Sequence, residues 1–122
     1  MSSNKATVSF KNDWGEDLNY ITIRHRRGND SDTETEATRH NVDAHKLIEN
    51  FLEFEHDSSR DYWWIDFTTN DAKNYVIKGN FYCSIEDSDN GKVCLRIDKS
   101  TMSLYVEFPS SSNCKVSIYE FK

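Results

Sequence analysis

Glycine and proline are scarce in this chain, with four glycines and a single proline in 122 residues. So few glycines leave no phosphate-cradling loop, and neither a GxSxG elbow nor an HExxH pair is present. Cysteine is also sparse and odd in number, at Cys83, Cys94 and Cys114. Their wide spacing lacks a CxxC pair, which argues against a structural zinc site. Free buried thiols are the first reading, and one disulfide with a leftover thiol is the alternative. No apolar run approaches the ~18 residues that span a bilayer. No basic tract exists either: 15 basic residues face 21 acidic ones, for a net charge of −6. Nucleic acid is therefore not an expected partner. Met1 to Lys5 shows no charged-then-apolar signal segment, so the expected location is the cytoplasm, or the outside by an unconventional route.

What the chain does have is aromatics and alternation. Three tryptophans, six tyrosines and seven phenylalanines supply core material for one domain over residues 1–122. A chain of this length buries roughly two-thirds of its unfolded surface on folding, so a normal core is possible without staples. Ala6, Val8 and Phe10 alternate with polar neighbours, as do Ile21, Ile23 and His25. Such period-two rows read as half-buried strands. Asn12-Asp13-Trp14-Gly15 reads as a turn and Gly28 to Asp32 as a polar loop. Thr33 to His40 reads as a polar edge strand whose charges discourage pairing with other chains.

Asp61-Tyr62-Trp63-Trp64-Ile65-Asp66-Phe67 is the most informative stretch. Adjacent strand residues point to opposite faces, so one of the two indoles enters a core and the other faces out. Short strands follow near Tyr75 to Lys78 and Phe81 to Ile85. Asn90-Gly91 within Asp87 to Gly91 signals a hairpin. Val93, Leu95 and Ile97 make another inward row, and Lys99-Ser100 turns the chain. Met102, Leu104, Val106 and Phe108 form the next row; Pro109 to Asn113 is a loop, and Cys114, Val116 and Ile118 close the chain. Leu47, Ile48, Phe51 and Leu52 fall at helical spacing behind Asp43, a suitable N-cap. The same residues admit a strand, and pattern alone slightly favours the helix.

The constellations that carry chemistry are weak. Asp87 to Gly91 opens like a calcium loop, but its glycine comes one place early and no glutamate closes it, so a turn is the reading. The acidic run from Asn29 to Glu36 reads as solvated, and no metal site is expected. His25, His40, His45 and His56 have no ligand spacing, and no nucleophile stands beside a base. His25 keeps the inward rhythm and reads as a satisfied interior residue. Asn29-Asp30-Ser31 is a formal glycosylation sequon. Arg24 and Arg26 share a strand face, where guanidinium groups suit phosphate or sulfate. Pairing with Glu34 and Glu36 on a neighbouring strand is the plainer outcome.

The order of features resembles a known family. Ala6-Thr7-Val8-Ser9-Phe10-Lys11-Asn12, Leu18 to His25, and Asp61-Tyr62-Trp63-Trp64-Ile65 are similar to three successive strands of the UPD domain, the up-regulated-in-Daf proteins. The likeness covers most of the chain, which lacks the long insertion of larger members after the Trp-Trp strand. It implies a β-sandwich like that of aegerolysins and actinoporin-like lipid binders, which are non-enzymatic and meet headgroups through exposed aromatics. It also implies a strand from Leu47 to Phe54.

The expectation is an all-β, antiparallel sandwich of about eight to ten strands. It is a binding module, not an enzyme, and needs no cofactor. Its expected partner is a membrane lipid headgroup, met by Trp14, Tyr62 and Trp64 through their rings and by Arg24 and Arg26 through charge. A glycan surface met by the same rings, or self-association into a homo-oligomer, are the alternatives.

Overall fold

The computed structural model describes residues 4–28, 31–56, 60–85, 89, 91–109 and 113–121. Among them, eleven strands follow in order: β1 (Asn4–Asp13), β2 (Leu18–Arg27), β3 (Thr35–Val42), β4 (Leu47–His56), β5 (Asp61–Thr69), β6 (Asn74–Val76), β7 (Phe81–Tyr82), β8 (Lys92–Asp98), β9 (Ser103–Glu107), β10 (Cys114–Ser117) and β11 (Tyr119–Phe121). The first sheet has the order β10-β9-β8-β1-β4. The second runs β11-β6-β5-β2-β3, with β7 also on β5. The two pack face to face around one apolar cluster, the expected sandwich. All neighbours are antiparallel except β1 and β8, which run parallel.

Period two explains the core. Ala6, Val8 and Phe10 are fully buried, and Ile21, Ile23, Trp63, Ile65 and Phe67 meet them from the second sheet. Leu95, Ile97, Leu104 and Val106 complete the first sheet's inner face. Met102 departs from its expected inward row. It sits in the turn before β9 with a φ of 50°, and its side chain is exposed.

Leu47 to Phe54 is a strand, so the helical pattern misleads. Val8 pairs with Leu52 while Phe10 pairs with Ile48, which sets Glu49, Asn50 and Phe51 against the single residue Ser9. Asn50 takes a φ of 55° at this bulge. The irregularity turns both Phe51 and Leu52 inward, although they are neighbours. A bulge thus imitates helical spacing.

The hairpin expected at Asn90-Gly91 does not form, because β7 and β8 lie in different sheets. Residues 86–88 and 90 of that stretch lie outside the described residues. Gly91 has another role: its carbonyl accepts from Thr7 N, and a Cβ there would lie 2.7 Å from Lys5 O. Asn29 and Asp30 of the loop and sequon, and residues 110–112 after Pro109, also lie outside the described set. Thr35–Val42 is the edge strand that its charges predicted.

Cysteine chemistry follows the alternative reading. Cys83 and Cys114 form a disulfide, which ties the segment after β7 to β10 of the opposite sheet. Only Cys94 remains a thiol.

Candidate binding face

Local sequence sorts the expected site residues into core and surface. Trp14 leaves the set. Asn12 is buried and pins the turn, accepting Trp14 N through its side-chain oxygen and donating to Glu16 O and Asp43 O. The turn folds the indole inward, where it is 2% exposed and meets Phe67 and Tyr75 edge-on. It has no access to a ligand.

Trp63 and Trp64 divide as alternation requires. Trp63 is fully buried and donates its indole N–H to Cys83 O at 2.8 Å. Trp64 is half-buried on the outer face of the second sheet, opposite Arg24 on β2. The Arg24 guanidinium carbon stands 4.5 Å from its ring centre. Tyr62 lies on the same face, two residues earlier, beside the exposed Tyr82 of β7.

The two arginines are engaged. Arg26 donates to Glu34 Oε1 at 2.8 Å. Arg24 reaches the same oxygen at 3.8 Å and donates to Asn80 Oδ1 at 3.0 Å. Glu36 is its cross-strand partner. A phosphate at this place would have to displace Glu34, so the plainer pairing outcome is the one present.

His25 is interior, as its rhythm predicted. Its Nε2 meets Asp61 Oδ1 at 2.7 Å, both side chains are sealed from solvent, and its ring stacks on Phe54. Asp61 Oδ2 accepts Ile85 N at 2.9 Å. The pair therefore organises the segment that carries Cys83, and no substrate reaches it.

Sequence reasoning missed residues on this same face. Tyr20 on β2, Asp66 on β5, Val76 on β6 and Phe121 on β11 line a groove of about 460 Å³ with Trp64. That volume suits a small-ligand site. Asp66 follows Trp64 by two places, so the period-two rule that placed Trp64 outside also placed Asp66 beside it. The signal was present. The wall from β11 had none, because pairing of Tyr119 with Val76 and of Phe121 with Asn74 joins distant parts of the chain.

Burial raises the pKa of the Asp66 carboxyl above the ordinary carboxylate value. The Glu36 charge adds to the rise, while a Tyr20 hydrogen bond and the Arg24 charge oppose it.

The opposite sheet carries a groove of about 500 Å³ between Thr7, Ser9, Glu49, Cys94, Glu107 and Phe108. Burial, then the Glu107 charge, pushes the Cys94 thiol up to about 11. It stays protonated at neutral pH and is a poor nucleophile. Among the described residues, no three potential metal ligands converge.

No family model matches the chain, and no curated protein matches it significantly.

Proposed function

We propose that the protein is a non-enzymatic binding module that recognises a membrane lipid headgroup with the outer face of its second sheet. One observation carries this reading. Tyr20, Tyr62, Trp64, Tyr82, Tyr119 and Phe121 all fall on that face by strand register. Tyr82, Tyr119 and Phe121 are exposed outright. Rings with an apolar body and a polar tip settle at a membrane interface, and a contiguous aromatic patch is costly to leave in water. The net charge of −6 opposes general attraction to anionic bilayers, so the rings and not the arginines supply the contact. The likeness to the UPD domain points the same way.

The disulfide supports an oxidising location over the cytoplasm.

Vesicle pelleting tests the reading. The parent protein pellets with vesicles of at least one lipid class, Trp64→Ala weakens this at least ~tenfold, about 1.4 kcal/mol, and Arg26→Ala changes it far less. Failure of the parent to bind any lipid class ends the proposal. A hit on a glycan array with no vesicle binding moves the same face to the glycan reading, in which the rings stack on sugars.

A further inference from the structure

The groove beside Trp64 holds a carboxylate in unusual surroundings. Asp66 is the only charged residue among the described residues that line it. Its Oδ1 is buried and takes no hydrogen bond. The Arg24 guanidinium, whose charge acts on Asp66, also serves Glu34, Asn80 and the Trp64 ring. Tyr20, Trp64, Val76 and Phe121 line the groove with Asp66, and the Tyr20 hydroxyl donates a hydrogen bond to the carboxylate.

The Tyr20 hydrogen bond and the Arg24 charge offset part of the cost of burying this carboxylate, but Oδ1 is left without a partner, so a further counter-charge in the groove is favourable. An anionic ligand would raise that cost, and a neutral one would leave it in place. A cation removes it, and aromatic faces attract cations through their quadrupoles. Calcium or magnesium would need several more oxygens than this groove offers. A primary ammonium would need further hydrogen-bond acceptors, yet the Asn74 side-chain oxygen already accepts from the Thr68 hydroxyl. A quaternary ammonium has no N–H and needs none.

We infer that this groove binds a quaternary ammonium group, with Asp66 as counter-charge and Trp64, Tyr20 and Phe121 as the aromatic walls. The inference rests on the headgroup reading and specifies the moiety that enters. The net charge of −6 adds long-range attraction for such a group.

Choline chloride is the direct probe, read by the indole N–H resonance of Trp64 in the labelled protein. Trp64→Phe assigns that resonance, and sodium chloride at equal ionic strength is the reference. Choline shifts the resonance saturably in the parent. Asp66→Asn keeps the shape and removes the charge, and weakens the response at least ~tenfold. Glu53→Gln, on the opposite sheet, leaves it unchanged. No saturable shift, or equal affinity in Asp66→Asn, overturns the inference. Pelleting with phosphatidylcholine vesicles separates the two proposals. Vesicle binding without a choline response overturns the ammonium site and leaves the headgroup reading standing. A choline response with no vesicle binding retains the site and overturns the headgroup reading. Absence of both overturns both.

Discussion

Asp66 and Asp61 sit five residues apart on one strand and do opposite work. Asp61 is fully buried, yet His25 and the Ile85 amide satisfy it. Asp66 is only part-buried, yet its Oδ1 has no partner. Burial is the main cause of its raised pKa. The folded state therefore holds the Asp66 proton more tightly than the unfolded chain does. That contribution favours folding below the unfolded carboxylate value and is lost as pH rises through the folded one. Ionised Asp66 thus weakens the fold at neutral pH. Asp66→Asn raises the melting midpoint at pH 7 relative to the parent, and the gap closes in acid. Thermal melts across pH check this. A lower midpoint at pH 7 would mean that Asp66 is a structural residue and not a site residue.

At the scale of elements, Gly91 shows how a local signal can be right about geometry and wrong about context. Asn-Gly predicts positive φ, and Gly91 has a φ of 67°. The geometry serves a close approach to Lys5 O instead of a hairpin. Gly91→Ala costs of the order of 2–4 kcal/mol, combining left-handed backbone strain with a backbone clash. Gly79→Ala, at a φ of 56° with open space around it, costs only about 1–2 kcal/mol. Denaturant unfolding of both variants checks the ordering, and equal losses would contradict it.

The inward rows of β1, β2, β5 and β8 were legible because each obeys strict alternation. Leu47 to Phe54 was not, because a bulge breaks period two and its apolar residues fall at helical intervals. Trp14 was misplaced for a related reason. A turn residue was read as a surface residue, while buried Asn12 folds that turn into the core. Of the candidate site, Tyr62 and Trp64 were legible from alternation. The pairing of β11 with β6 was not, since no local pattern specifies which distant strands meet.

The whole molecule is two sheets held by one core and one covalent tie. Cys83 and Cys114 are 31 residues apart in sequence and belong to opposite sides of the sandwich. Closing a loop of that length contributes roughly 3–4 kcal/mol by restricting the unfolded chain. Cys83→Ala with Cys114→Ala lowers the unfolding free energy by about that amount and leaves the strand signature in circular dichroism intact. Loss of folding altogether would show that the core is insufficient alone. Neither cysteine lines the groove beside Trp64, so the double variant retains vesicle binding once folded.

The two outer faces of the sandwich differ in chemistry. The first sheet presents hydroxyls, a protonated thiol and the Arg96 pairs with Glu107 and Asp98. The second presents the aromatic rows. Hydrogen exchange of the intact protein with and without phosphatidylcholine vesicles compares them in one measurement. The account predicts slowed exchange in β2, β5, β6 and β11, and none beyond background in β8 and β9. Protection confined to β8 and β9 would contradict it.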